Sequence, residues 1–462
     1  MPLWRHVVEY EEGNPELLRQ LALGYPRFVV HPNVVALNQD ALHRFGKDGE
    51  AAFVAPSQRV AENCQRFLHE VRAVAARIEA MEGGVFAVLF PSEAADTAKH
   101  FWQHFGEIVS SRRARTILNG TPVPSGEDGS KARIREQIAG LTGCAPDDVY
   151  LYSTGMAALA AALRVAQRLR PGARSIQFGF PYVDGLKIQT VWGPGAHFHA
   201  RLQEELPKVE ELIRSGEPLS ALFCEVVGNP LLSMPDVPRL SALLRERGIP
   251  FVVDDTVATF ANVDLLPHAD MISSSLTKHF SGAGDVMAGS LILNRNSPRY
   301  ADLKAAQEAL FEDLFWHEDA TVLADNAEDF DARIARINQS TEVLCERLRA
   351  HPAVAEVHYP KFTTNAAYES VKRPGGGYGG LFSLVLKDAA RTSQPYFDNL
   401  RVSKGPSLGT NFTLACPYTL LAHFNELDWA ESLGISRHLI RVSVGLEDLD
   451  DLLERFLSIL PR

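Results

Sequence analysis

PFVVDDT, residues 250–256, and MISSSLTKHFSG, residues 271–282, decide how this chain folds. The first is a short apolar run ending in two carboxylates. The second is another apolar run, ending in hydroxyl residues and a lysine. Working outward, the same rhythm extends from about residue 131 to 296. DDVYLYS (147–153) precedes a helix from Met156 to Arg168, SIQFGF (175–180) and ALFCEVV (221–227) follow, and GSLILN (289–294) comes after a further helix from Pro238 to Arg247. Short apolar runs separated by helices indicate a mainly parallel sheet covered on both faces. Such sheets bind ligands at the carboxyl ends of their strands.

Two flanking regions read differently. In residues 1–110, AAFVAPSQRVAENCQRFL from Ala51 and VFAVLFPSEAADTAKHFW from Val85 each suggest a strand, then Pro-Ser with Ser57 or Ser92 as N-cap, then a helix. This is an N-terminal α/β extension. The stretch from Asn294 to Ala335 is polar with helical character throughout. Beyond it VAEVHYP, FSLVLKD and HLIRVSVG read as strands and DLDDLLERFLSIL as a terminal amphipathic helix, an α+β arrangement. The expected division is therefore 1–110 for the extension, 111–296 for the large α/β domain and 297–462 for the C-terminal domain.

Composition narrows the function. With 462 residues, 46% hydrophobic and 22% charged, the chain can bury a sizeable core. A net charge of -11 without a Lys/Arg block argues against nucleic acid and anionic membrane as partners and favours a small molecule. The five cysteines lack CxxC or metal-type spacing and read as reduced, mostly buried thiols, so no metal is expected. No apolar run reaches the length of a membrane span, and a soluble cytoplasmic protein is expected.

The chemistry-bearing residues follow in order. Lys278, with Ser275 and Thr277 before it, can form an imine with an aldehyde cofactor while the hydroxyls hold its phosphate. Alone it reads equally as a surface lysine. Asp254 closes a core strand, where a carboxylate needs a cation such as a pyridinium nitrogen; alone it reads as a capped strand end. Ser153-Thr154-Gly155 before the helix from Met156 makes an anion site of that helix start, or simply a capped core helix. Tyr182 can lay a ring against a cofactor or sit in the core, and Glu225, Asn229 and Pro230 can orient one or form a turn.

Together and in this order, these elements resemble the Cys/Met-metabolism branch of fold type I pyridoxal-phosphate (PLP) enzymes: cystathionine γ-synthase, the cystathionine lyases, methionine γ-lyase and homoserine sulfhydrylases. Thr154-Gly155-Met156, Asp254-Asp255-Thr256, Ser275-Leu276-Thr277-Lys278, Glu225 with Asn229-Pro230, Ser407-Leu408-Gly409 and Arg441 to Asp448 carry the resemblance. It implies the PLP-dependent transferase fold of type I, with a seven-stranded-type sheet. It further implies that Lys278 anchors PLP and that Gly155, Met156, Ser275 and Thr277 hold its phosphate. Tyr182 would stack on the ring and act as proton donor, Asp254 would pair with the ring nitrogen, and Asn229 would meet the phenolic oxygen. Arg441, helped by Ser407, would clamp the substrate carboxylate.

The family's usual Tyr-Ser-Arg is replaced by Ser110-Ser111-Arg112. Arg112 is left as the phosphate ligand that such enzymes lend to a neighbouring subunit, within a homodimer or homotetramer. The extension, GYPRF from Gly24 and PSLGTNFTLACPYTLLAHF from Pro406 resemble the fungal cystathionine γ-synthase-like subgroup. The resemblance implies γ-substitution on an O-activated L-homoserine by a thiol, carbon or amine nucleophile. γ-Elimination is the alternative, and a non-catalytic PLP-fold protein a more distant one. A dinucleotide-binding oxidoreductase is excluded because no GxGxxG follows a first strand.

Overall fold

A computed structural model describes all residues except 22, 23, 25–27, 123–128 and 462. In the N-terminal region the alternating apolar segments pair as an antiparallel sheet of β1 (Glu50–Ala55), β2 (Arg77–Met81) and β3 (Val85–Pro91), with β3 in the centre. Helices Gln58–Arg72 and Ala95–Phe105 cover it, joining Phe53, Val60, Phe67 and Phe101 in one core. The two similar stretches differ at their caps. Ser57 is extended, so its hydroxyl reaches Val60 N–H at 3.3 Å. Ser92 instead lies inside a short 3-10 turn, Ser92–Ala94, and the following helix starts without a side-chain cap.

The central sheet has seven strands: β4 (Val149–Tyr152), β5 (Arg174–Phe178), β6 (Ala196–His199), β7 (Leu219–Glu225), β8 (Phe251–Asp254), β9 (Met271–Ser274) and β10 (Gly289–Leu293). Their order is β4-β10-β9-β8-β7-β5-β6. Neighbours from β9 through β6 are parallel, and β10 runs antiparallel to both β9 and β4. All strands but β10 therefore end at one edge. The expected mainly parallel sheet is the one observed, and β4, β7, β9 and β10 are buried along almost their whole lengths. The half-buried edge strand β6 lacks the apolar run that marks its neighbours.

The stretch after Asn294 is not continuously helical: Tyr300–Leu310, His317–Asn326 and Phe330–Arg349 are separate helices, with extended chain from 311 to 316. A five-stranded sheet follows, made of β11 (Val354–His358), β12 (Leu381–Leu386), β13 (Ser403–Lys404), β14 (Leu414–Pro417) and β15 (Ile440–Ser443), in the order β11-β12-β15-β14-β13. The terminal helix Leu449–Leu457 is capped by Asp448, which accepts from Asp450 and Asp451 N–H at 2.9 and 3.2 Å, and buries Leu452 and Phe456. All five cysteines are free thiols, four of them buried. No helix among the described residues is long and apolar enough to cross a membrane.

Candidate active site

The common edge of the central sheet opens into a pocket. From β4 the chain turns at Thr154, whose hydroxyl caps the helix Gly155–Leu169 by accepting Ala157 N–H at 3.0 Å. The N–H groups of Gly155 and Met156 belong to the first turn, which has no intrahelical acceptors, and both residues line the pocket. Glycine is required at 155 because a Cβ there would lie 2.5 Å from Ser275 Cβ. The close approach foreseen for a bound anion thus serves the packing of the β9 turn as well. Ser275 sets its N–H on Thr256 Oγ1 at 2.8 Å, and its hydroxyl makes no hydrogen bond among the described residues. Thr277 differs: its hydroxyl donates to Ala288 O at 3.2 Å and accepts Ala288 N–H at 3.0 Å, so it pins the start of β10 as it lines the pocket.

At another part of the wall stand two carboxyl groups. Parallel pairing of β7 and β8 sets Glu225 in register with Asp254, and both line the pocket. Asp254 accepts Thr256 N–H at 2.9 Å and has no ion pair among the described residues. Burial pushes its carboxyl above the ordinary range against the lowering effect of Thr256. Glu225 accepts the N–H groups of Tyr182 and Asn229, the latter at 3.3 Å. Burial, then the neighbouring Asp254, pushes it up to about 8. Asp255, one residue on, is buried in the protein interior.

Lys278 donates to Ser407 Oγ at 3.1 Å, and the Ser407 carbonyl accepts from Arg441 Nη2 at 3.1 Å. Ser407 therefore joins the lysine to the guanidinium, through its side chain and its backbone. Arg441 is buried, donates from Nη1 to Asn229 Oδ1 at 3.3 Å and lies 5.0 Å from the Tyr418 ring centroid. The amide oxygen of Asn229 is thus turned to Arg441. Tyr182 lines the pocket and donates to Asp184 Oδ2 at 3.4 Å. Arg112 is not brought into this pocket. Its guanidinium contacts Asp319 Oδ1 and Asp285 O, each at 3.0 Å, in an adjoining cavity that shares Thr277 and Pro406 with the first.

Two contributions had little or no signal in the sequence. Phe28, from the extension, lines the pocket, although residues 25–27 of the GYPRF stretch lie outside the described residues. Glu225 was legible only as one polar residue at a strand end; its register with Asp254 is a property of the sheet.

The donor set suits PLP. Open helix N–H groups and a free Ser275 hydroxyl suit a phosphate, a carboxylate without an ion pair suits a protonated ring nitrogen, and a lysine stands in the same pocket.

Comparisons with known proteins agree. Residues 129–460 match the family described as Cys/Met metabolism PLP-dependent enzyme, and residues 33–110 match the fungal trans-sulfuration enzyme N-terminal domain. Cystathionine gamma-synthase of Neurospora crassa is 35% identical, covering 99% of this chain and 94% of its own. The cystathionine gamma-synthase-like enzyme iboG2 of Amanita muscaria is 34% identical over 98% of this chain and 92% of its own. A solved cystathionine gamma-lyase, CalE6 from Micromonospora echinospora, superposes with a TM-score of 0.62 at 26% identity, covering 72% of this chain and 86% of that one.

Proposed function

The chain belongs to the Cys/Met-metabolism family of PLP-dependent enzymes, and from that premise we propose that it catalyses γ-substitution on an O-activated L-homoserine, such as the O-acetyl or O-succinyl ester. The nucleophile is a thiol, or a carbon or amine nucleophile. The observation that carries the reading is the meeting in one pocket of Lys278, Asp254 and Arg441, each tied to the next wall by the contacts above.

Gly155, Met156, Ser275 and Thr277 hold the cofactor phosphate, Asp254 its ring nitrogen, Asn229 its phenolic oxygen, and Lys278 its aldehyde carbon. When bound, PLP supplies an electron sink that acidifies protons on the carbons near the substrate amine. Arg441 takes the substrate carboxylate with two parallel N–H donors. Lys278 Nζ removes the Cα proton and moves along one face of the substrate to the Cβ proton, since it is the one lysine lining the pocket. The Tyr182 hydroxyl gives a proton to the departing γ oxygen. Asp254 keeps its negative charge against the ring nitrogen, because a cation offsets the burial that otherwise raises its pKa. Arg112 belongs to a second site contact, reaching the phosphate of a neighbouring subunit.

A mass-spectrometric screen of activated homoserines against thiols, amines and carbonyl compounds tests the reading. A new Cγ bond in the product supports substitution. Release of a 2-keto acid whatever nucleophile is present would make the enzyme a γ-lyase.

A further inference from the structure

Tyr182 does not hold its hydroxyl in place alone. Its partner, Asp184, is completely buried and carries a carboxylate that is reached from the N-terminal extension. Gln103 Nε2 donates to Asp184 Oδ1 and Oδ2, both at 3.3 Å, and His104 Nε2 stands 3.8 Å from Oδ1. The protonation of His104 follows from its other side. Indole nitrogen is only a donor, and Trp192 Nε1–H points at His104 Nδ1 at 3.0 Å. Nδ1 is therefore the acceptor and the ring proton sits on Nε2, facing Asp184. Trp192 is itself gripped by the extension: Phe67 stacks on it at 3.7 Å between centroids, and Phe105 meets it edge-on at 4.3 Å.

Other bonds from the same helix end fix the rest of the turn. Gly106 O accepts the hydroxyls of Ser153 and Thr154 at 3.1 and 3.0 Å. Buried Glu107 pairs with Arg59 at 2.8 Å in the extension and with Arg164 at 3.0 Å on the helix Gly155–Leu169. The helix Ala95–Phe105 is thus bolted to the pocket wall rather than attached beside it.

We propose that Asp184, held by Gln103 and His104 of the extension, is a positioning residue that aims the Tyr182 hydroxyl at the reacting atoms. The extension is then part of the catalytic apparatus, and its loss acts on chemistry through a single phenol. This rests on the placement of Tyr182 at the leaving group, and the experiment separates the two.

The experiment is a double-mutant cycle on the holoenzyme with Tyr182→Phe, Asp184→Asn and the pair, repeated with His104→Phe in case Asp184→Asn impairs folding. Visible circular dichroism of the bound cofactor reports that the site is assembled. Tyr182→Phe should lower kcat by about a hundredfold and Asp184→Asn by about tenfold, with KM little changed. Added to Tyr182→Phe, either second substitution should cost less than about twofold. A readout independent of activity is the phenol pKa of 3-fluorotyrosine placed at 182 in the cofactor-free protein, followed by fluorine NMR. Removing the Asp184 charge should lower it by about one pH unit, since a neighbouring carboxylate favours the protonated phenol. Glu225, Lys278 and Arg441, which line the same pocket, stay unchanged in the comparison. Additive losses, or an unmoved phenol pKa, would overturn the proposal while leaving Tyr182 in its role. A Tyr182→Phe enzyme with normal kcat overturns both.

Discussion

Arg441 shows how much one side chain is asked to do. Its planar guanidinium already reaches Asn229, the carbonyls of Pro406 and Ser407 and the face of Tyr418. A lysine keeps the charge but cannot serve those partners and a carboxylate with two parallel bonds. Arg441→Lys is expected to cost about 2 to 4 kcal/mol in kcat/KM, with cofactor affinity nearly unchanged. Unchanged kinetics would place the substrate carboxylate elsewhere. Lys278→Ala should abolish the yellow absorbance of lysine-bound PLP, and a band that survives in the variant would show that another lysine is the anchor. Glu225 adds a pH effect. Its carboxyl is raised to about 8 in the folded protein, so the stability it contributes is complete below its unfolded pKa, falls above that value and is gone past about 8. Urea unfolding of the cofactor-free protein should show the wild type losing on the order of 3 kcal/mol relative to Glu225→Gln between pH 5 and pH 8. Parallel pH profiles for the two proteins would count against a buried neutral Glu225.

At the scale of elements, the loop from 406 to 411 is what a pattern of apolar runs does not reveal. It passes beneath the Lys278 turn, and Gly409, at φ +74°, brings its Cα so close that a Cβ would lie 2.4 Å from His279 N and 3.0 Å from Lys278 Cβ. Its own N–H donates to Ser443 Oγ at 2.7 Å, which ties the loop to β15. Gly409→Ala should therefore cost about 1 to 3 kcal/mol of stability and push Ser407 away from Lys278. A thermal-unfolding midpoint and a PLP titration equal to wild type would show that the loop gives way freely. The strands with continuous apolar runs, β4, β7, β8, β9 and β10, were all legible, because a buried parallel strand must be apolar on both faces. β13 and β14 were not. The first has only two residues, and the second, LACP, is held by its pairing with β15 rather than by any preference of its own.

For the whole molecule, the reading of Arg112 as a ligand to a neighbouring site requires an assembly. Sedimentation velocity should give a dimer or tetramer, and a fully active monomer would remove that role. Phe412 is 43% exposed on the rim of the cavity that also holds Arg112, so Phe412→Asp should weaken association if this face is shared. Turnover of an activated homoserine in deuterated water should label the product at both Cα and Cβ. Label at Cα alone would mean direct displacement at Cγ. The sequence by itself determined the family, the cofactor and the sheet class, because each depends on local order along the chain: an apolar run, the polar residues that end it, a helix start after a glycine. Only the tertiary structure decided which of these residues meet. The Glu225 and Asp254 carboxyls are neighbours through strand register, Ser407 reaches Lys278 from a distant loop, and Asp184 receives Gln103 and His104 from the extension. Contacts of that kind are set by how sheets and helices pack across long separations, and no periodicity in the chain records them.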